Sequence, residues 1–404
     1  MAQIKAPDFS SPRFKANPYP FYAHLRAQAP VYRTRLAFWL PAWLVTRYGD
    51  VLTVLKDERF SNDFSSRIPW LPRSTRPLYR ILLNLDPPDH TRLRALVSKA
   101  FTPRMVERLR ERIQNVCDDL LDSAPASGRM DLVRGFALPL PLTIIADLLG
   151  IPRQDRRGFN AWSKRVAAMS SGAVLDMLRA QPYLWLFFRY FRKLVALRRA
   201  EPQDDLVTAL VQAEEAGDKL SEDELIAMIG LLLLAGYETT VNLVASGALA
   251  LIQHPEQRDR LQRNPELGPA AIEELVRYTS PLEFASPRIA REDVTIGSVT
   301  IPRGAFVLAV LGSANHDESE FPHPEALDIT RVPNRHLAFG MGAHFCLGAP
   351  LARLEGEIAL TTLFRRFPDL GLAEAPESLR WRRGLAIRGL ERLTVALHGL
   401  QPRR

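Results

Sequence analysis

Cysteine is scarce in this chain, since Cys117 and Cys346 are the only two among 404 residues. At most one disulfide bond can form, which excludes a disulfide framework, and nothing resembles a paired-cysteine zinc site. A reducing cytoplasm fits this composition best. We therefore expect a cytoplasmic protein.

Long hydrophobic runs are missing as well. The first residues, Met1 to Ala16, contain no apolar stretch long enough for a signal peptide or an anchor. The most apolar run, Leu225 to Gly236, is shorter than the roughly 20 apolar residues that a bilayer-spanning helix needs. We expect no membrane anchor.

Clustered charge of one sign is also absent, although the formal net charge is +8. Such a charge could suit nucleic acid, an acidic protein or an anionic ligand. The basic residues are scattered, and no recognition-helix or aromatic-basic pattern accompanies them, so nucleic acid is a poor candidate. A docking site for an acidic protein partner is the better interpretation. We expect the protein to be a monomer.

The hydrophobic periodicity predicts a mainly α protein made of one domain, residues 1–404. Apolar spacing is helical almost throughout from about Thr91 to Ile252, and a last helix is expected from about Ala349 to Arg366. Strand-like alternation predicts a smaller β-rich lobe from about residues 1–60, 282–335 and 370–404. The helical body then takes about residues 61–281 and 336–369. The predicted strands are Phe38 to Thr46, Val294 to Ile301 and Phe306 to Val310, with a hairpin from Trp381 to Leu397.

One glycine-rich loop delivers a cysteine immediately before a helix. Glycines let the backbone approach a flat ligand and leave amide hydrogens free to point at the sulfur. The N-terminus of the following helix favours a thiolate over a thiol. A lone cysteine is more often a buried structural thiol, but its ten-residue context argues against that here. The loop reads Phe339-Gly340-Met341-Gly342-Ala343-His344-Phe345-Cys346-Leu347-Gly348.

This loop resembles that of the cytochrome P450 family, which reads Phe-x-x-Gly-x-x-x-Cys-x-Gly. The resemblance implies the cytochrome P450 fold and a haem b whose iron is held by Cys346. It also places Phe339, Gly340, His344 and Gly348 at the haem. An axial thiolate on haem iron favours cleavage of the oxygen-oxygen bond of bound dioxygen.

A short polar segment interrupts the apolar helix that begins near Ser221. Ser221 and Glu224 have the spacing of a capping box. Within the helix lies Ala235-Gly236-Tyr237-Glu238-Thr239-Thr240. A carboxylate and hydroxyls are costly to bury unless they are used. The alternative is a partly exposed polar step on a core helix.

This polar segment is similar to the corresponding segment of the central helix in the cytochrome P450 family. By this resemblance Ala235 makes room for dioxygen beside the haem, and Glu238 and Thr239 form an acid-alcohol pair that relays protons. The chain departs from the family at Tyr237, where His is frequent, and at Thr394, where Pro is common.

Two further sets of charged residues gain meaning from the resemblance. Glu274 and Arg277 lie at i,i+3 on one helix face, and with Arg331 they match the family's Glu-Arg-Arg cluster, a structural element. The carboxylate groups of the haem propionates need cationic donors. By resemblance to the family, these donors are expected to be His90, Arg94, Arg288 and His344. His90 and Arg94 lie at i,i+4 after a Pro-containing loop.

The predicted reaction is oxygen insertion into a carbon-hydrogen bond or an alkene. In keeping Glu238 and Thr239, the chain resembles family members that activate dioxygen. This resemblance implies that the enzyme receives electrons from NAD(P)H through a ferredoxin or flavodoxin and its reductase. Basic residues Arg104, Arg108 and Arg353 could meet such an acidic carrier. A peroxide-driven peroxygenase or a dehydratase, and a non-catalytic haem-binding protein, stay open as alternatives.

The substrate is expected to be a hydrophobic small molecule, such as a fatty acid, terpenoid, steroid or polyketide. The aromatic segment Pro182 to Phe191 is either helix core or the mouth of a substrate channel. Pocket walls are assigned by resemblance to apolar stretches. They offer Ile68, Trp70, Leu71, Val166, Leu231, Ala235, Leu282, Phe284, Ala285, Ala386 and Ile387.

Overall fold

A computed structural model of the chain describes residues 4–36, 40–63, 81–156, 158–159, 161–162, 174–215, 220–398 and 401–403. Its helices are α1 Pro12–Ala16, α2 Tyr19–Gln28, α3 Tyr48–Lys56, α4 Asp89–Ala100, α5 Pro103–Glu107, α6 Arg110–Asp122, α7 Pro139–Leu148, α8 Val174–Ala200, α9 Leu206–Glu215, α10 Glu222–Gln253, α11 Pro255–Arg263, α12 Gly268–Thr279, α13 Leu311–Ala314 and α14 Ala349–Arg366. Its strands are β1 Val31–Leu36, β2 Leu40–Val45, β3 Phe60–Ser61, β4 Arg129–Asp131, β5 Arg288–Ala290, β6 Val294–Ile296, β7 Val299–Ile301, β8 Phe306–Ala309, β9 Gly371–Leu372 and β10 Thr394–Ala396.

The longest helix, α10, begins where its sequence predicts. The Ser221 hydroxyl accepts a hydrogen bond from the Glu224 amide at 3.2 Å, and the Glu224 carboxylate accepts one from the Ser221 amide at 2.8 Å. These two bonds satisfy amide groups that the first helical turn leaves without partners, and acidic side chains there complement the helix dipole. The helix therefore has a fixed start at the edge of the core.

Helix α10 passes through the main hydrophobic core, with α7, α12 and α14 packed against it and α6 packed on α7 and α14. Among the described residues it is the one helix long and apolar enough to cross a membrane, and 56% of its most apolar window is buried inside the fold. Its hydrophobicity is thus that of a core helix. Cys117 of α6 lies in the same core, where burial raises the pKa of its thiol.

The main sheet joins strands from two of the three parts of the chain that were predicted to form the β-rich lobe. Its order is β1-β2-β8-β5-β3. Strands β1 and β2 are antiparallel, and β8 pairs parallel to β2 from Ala42↔Phe306 to Val45↔Ala309. The run predicted as one strand from Val294 to Ile301 is a hairpin of β6 and β7, because Gly297 adopts φ 58° in the turn between them.

The C-terminal strands do not join this sheet. We assigned residues 370–404 to the β-rich lobe, but β10 pairs with β9 and with β4, which lies within the helical body. Alternation along a strand shows that one face is buried and does not say which strand is its neighbour. Ahead of β10, an isolated bridge between Trp381 and Leu390 closes the start of the predicted C-terminal hairpin.

Candidate active site

The Cys346 loop is held by its own backbone and by two glycines with positive φ. The Cys346 amide donates to the Phe339 carbonyl at 2.9 Å. Gly340 and Gly342 have φ values of 69° and 77°, a region that costs other residues free energy. A Cβ on Gly342 would also lie 3.0 Å from the Leu55 carbonyl oxygen. The loop thus packs directly on the end of α3.

The sulfur of Cys346 lies at the N-terminus of α14. Burial raises the pKa of the thiol, while the Gly348 amide, the guanidinium groups of Arg94 and Arg353 and the Ala349 amide lower it in turn. Burial prevails, so the pKa lies above that of an ordinary thiol. A cation bound to the sulfur would favour the thiolate.

Four nitrogen-bearing side chains surround the same region. The imidazole rings of His90 and His344 lie with centroids 4.1 Å apart. Burial, then the neighbouring His90 and Arg288, lowers the pKa of His344 to about 3. Burial also lowers the pKa of Arg288 to about 10, and burial and Arg94 lower that of His90. The carboxylate of Asp86 opposes each of these shifts, but it already accepts hydrogen bonds from Ser61, Asn62 and Arg291.

Two of these groups have donors without a partner. His90 Nε2 and Arg288 Nε are buried, and neither has a hydrogen-bond partner among the residues that the structure describes. Buried polar groups are rarely left so, and carboxylate groups of a ligand would complement cationic donors at this place. Together with the Cys346 sulfur, the donor set fits a flat metal cofactor that carries acidic side groups.

Helix α10 exposes a short stretch at the predicted oxygen-binding position. Leu234 and Ala235 are exposed, whereas most residues from Tyr237 onward are buried. The Thr239 hydroxyl donates to the Ala235 carbonyl at 2.9 Å, so both lie on this stretch. Glu238, the residue before Thr239, is buried and forms an ion pair with Arg382. Sequence reasoning missed Arg382, because no local pattern links it to α10.

The Glu274, Arg277 and Arg331 side chains meet, as the sequence predicts. Arg277 donates twice to the fully buried Glu274 carboxylate, each time at 2.7 Å, and Arg331 donates at 3.1 and 3.2 Å. Arg277 also donates to the carbonyls of Asn315 and Pro324. The cluster ties α12 to the segment that leads into the Cys346 loop.

Arg353 has a different environment from the one we expected of a docking residue. It donates to Glu273 at 2.6 and 2.8 Å, and its guanidinium lies 4.5 Å from the centroid of the Phe339 ring. Burial raises the pKa of Glu273, but bonds from Arg353 and His336 outweigh it and hold that pKa at about 2. Arg353 therefore braces the Cys346 loop. Arg108 is exposed, 3.8 Å from Asp204.

The predicted pocket residues separate into two groups. Leu282 and Ile387 face each other in an isolated bridge, and Ala386 accepts a backbone bond from Glu283 at 2.8 Å, so distant parts of the chain do come together. Phe284 is only 2% exposed and packs in the core against Phe9, so its position is that of a core residue. Ala285 is buried and Leu231 half-buried. Ile68, Trp70, Leu71 and Val166 lie outside the described residues.

The aromatic segment of α8 is divided between the core and the surface. Phe187 and Phe191 are buried with ring centroids 4.5 Å apart, which is helix core. Trp185 is 60% exposed, and Arg189 lies 4.8 Å from its ring. The segment therefore has a buried side and an aromatic outer side.

Comparison with known proteins agrees with this geometry. The family model "Cytochrome P450" matches residues 9–370. The polyketide biosynthesis cytochrome P450 PksS of Bacillus subtilis is 44% identical over 394 residues, covering 95% of this chain and 96% of that protein. The 6-deoxyerythronolide B hydroxylase of Saccharopolyspora erythraea is 40% identical over 405 residues, covering 97% and 99%.

A solved structure extends the likeness to three dimensions. The structure of Bacillus subtilis PksS matches with a TM-score of 0.92 at 43% identity, covering 98% of this chain and 100% of that one. The predicted fold, a helix-rich body with a smaller β-rich lobe, is confirmed. Haem iron and the use of dioxygen are properties of the matching family. The chain is therefore a monooxygenase and belongs to the cytochrome P450 family.

Proposed function

We propose that this enzyme holds haem b through Cys346 and hydroxylates or epoxidises an apolar, polyketide-like small molecule. The observation that carries the proposal is the Cys346 sulfur at the start of α14, in the loop whose His344 neighbours the unpaired buried donors of His90 and Arg288. A structural thiol would need neither these donors nor the positive-φ glycines of the loop. Cys117, which has none of them, shows what a structural cysteine looks like in this chain.

Each side chain of the site then has a separate task. Cys346 would hold the haem iron, and His90, Arg94, Arg288 and His344 would hold the propionates. Phe339, Gly340 and Gly348 would let the Cys346 loop approach the cofactor, and Ala235 would leave room for dioxygen. When bound, the haem supplies an iron centre that activates dioxygen.

The residues of α10 supply protons. Insertion of one oxygen atom of dioxygen releases the other as water and consumes two electrons and two protons. We assign proton transfer to Glu238, with Thr239 orienting water by its hydroxyl. The electrons are proposed to come from NAD(P)H through a ferredoxin or flavodoxin and its reductase, for a monomeric enzyme in the cytoplasm.

Several relatives favour polyketides, although another is named a vitamin D(3) 25-hydroxylase and one solved neighbour binds myristic acid. One relative is named for polyketide biosynthesis and another for hydroxylation of 6-deoxyerythronolide B. The described pocket candidates Leu231, Leu282, Ala386 and Ile387 are apolar, which suits such a substrate. A spin-state titration of the ferric enzyme with a macrolactone, a fatty acid and a steroid tests the class. Tight binding of the fatty acid or the steroid with no response to the macrolactone contradicts it.

The ligand assignment is tested by the carbon monoxide difference spectrum of the dithionite-reduced protein. A strongly red-shifted Soret band is expected for the wild type and for Cys117→Ser, and its loss for Cys346→Ser. The same band in Cys346→Ser would refute Cys346 as the ligand. Turnover with peroxide alone, and none with NAD(P)H and redox partners, would instead identify a peroxygenase.

A further inference from the structure

The carboxylate of Glu238 is held by a residue from near the end of the chain. Arg382 Nη1 lies 3.2 Å from Glu238 Oε1. The Glu238 side chain is 8% exposed and the Arg382 side chain 41%. The guanidinium therefore connects a buried carboxylate to the solvent.

The position of Arg382 is fixed by the turn that contains it. The Arg382 amide donates to the Gly389 carbonyl at 2.8 Å, next to the bridge between Trp381 and Leu390. Gly389 packs on Asn242, which lies one helical turn after Glu238 on the same face of α10. A Cβ on Gly389 would come within 1.8 Å of Asn242 Oδ1, so only glycine permits this approach. Backbone packing thus sets Arg382 opposite Glu238.

The chemistry of this pair suits proton delivery. A buried carboxylate is costly to ionise without a cation, and an arginine stays charged at any physiological pH. Arg382 can therefore hold the carboxylate in one orientation without competing for its proton. Because the guanidinium is partly exposed, water that contacts it is within reach of the carboxylate.

We propose that Arg382 is a positioning residue for proton delivery, which orients Glu238 and links it to solvent. The inference rests on the proposed function of Glu238. For each substrate oxidised, two protons enter through this pair, two electrons come from the redox partner, and one oxygen atom leaves as water. Arg382 itself is neither protonated nor deprotonated in the cycle.

The neighbouring Arg383 provides a matched control. It occupies the same turn, is 57% exposed and donates to Asp8 at 2.7 Å. It thus shares with Arg382 the residue type, the exposure and an acidic partner, but it does not contact α10 through any described ion pair. Arg383→Gln removes an equivalent charge without touching Glu238.

The test compares Arg382→Gln, Arg382→Lys and Arg383→Gln in the haem-loaded enzyme with a ferredoxin and its reductase. We expect Arg382→Gln to lower turnover about tenfold and to raise the solvent isotope effect, since it affects a proton step. Arg382→Lys should recover part of the loss, because it retains the charge. Peroxide-driven turnover should change less than electron-driven turnover, because peroxide brings its own protons.

A second readout is independent of turnover. The infrared carboxylate band of Glu238 in the resting ferric enzyme is the band that disappears in Glu238→Gln. We expect this band to shift in Arg382→Gln and to keep its position in Arg383→Gln. If Arg382→Gln fails to fold, Arg382→Lys carries the same comparison, because its point charge cannot reproduce the guanidinium contact.

Two results overturn different conclusions. An unchanged isotope effect and an unshifted carboxylate band in both Arg382 variants would refute the role of Arg382, even if Glu238→Gln is slow. Normal electron-driven turnover in Glu238→Gln would instead refute the proposed function of Glu238, and with it this inference.

Discussion

A single buried carboxylate makes the stability of this protein depend on pH. Glu355 of α14 is fully buried among core residues and bonded to the Thr240 side chain, and its Oε2 has no partner among the described residues. Burial raises its pKa from 4.5 to about 8, although Thr240 partly opposes the change. The native protein therefore keeps this carboxyl group neutral at physiological pH.

The sign of the effect follows from the two states. In the unfolded chain the carboxyl group ionises above pH 4.5, whereas in the folded chain it stays protonated until about pH 8. The favourable contribution is thus complete below pH 4.5 and is lost as the pH rises through about 8. At about 1.4 kcal/mol per unit of pKa difference, the loss between pH 5 and 9 is about 4 kcal/mol.

The variant Glu355→Gln removes this dependence, because an amide does not ionise. We expect similar free energies of unfolding at pH 5 and a more stable variant by up to about 4 kcal/mol at pH 9. Urea denaturation followed by tryptophan fluorescence measures both. Glu357→Gln, on the same helix with a partly exposed side chain, is the control and should run parallel to the wild type. Parallel curves for Glu355→Gln as well would refute the reasoning.

Three further predictions concern the surroundings of Cys346. Glu274→Gln should lower the free energy of unfolding by about 3–5 kcal/mol, because Arg277 is left buried without a carboxylate. Glu273→Gln should cost less, because Glu273 and its partner Arg353 are both partly exposed; chemical denaturation compares the two variants. Arg288→Gln should speed haem loss to an apo-globin about tenfold, and an unchanged rate would exclude a propionate contact. Gly342→Ala should destabilise the protein by about 1–3 kcal/mol in calorimetry, and no change would show that the loop can move away from Leu55.

Much of the site could be predicted because its residues are adjacent in sequence. The Cys346 loop carries its glycines, its cysteine and the start of α14 within ten residues. The same applies to the capping box of α10, whose two hydrogen bonds involve residues three positions apart. The Glu274 and Arg277 pair needed only helical spacing, whereas Arg331 required the family pattern.

Other features depend on contacts between distant segments. Phe284 was expected at the pocket, but its ring packs against Phe9, and hydrophobicity alone does not distinguish a pocket wall from core. Arg353 was expected to face a redox partner, but Glu273 and Phe339 engage it. A positive charge in a sequence does not show whether its partner is inside the same molecule.

The sequence by itself determined the local features: a cysteine in a glycine-rich loop before a helix, an acid and an alcohol in the middle of an apolar helix, and the helical character of most of the chain. These are local properties, set by residue type and by short spacings that the backbone converts directly into geometry. Tertiary structure alone decided which distant groups meet, such as β10 with β4 and Arg382 with Glu238. Such pairings arise from packing of the whole chain. The hydrophobic effect is non-directional, so it does not specify which segments meet until the complete fold is formed.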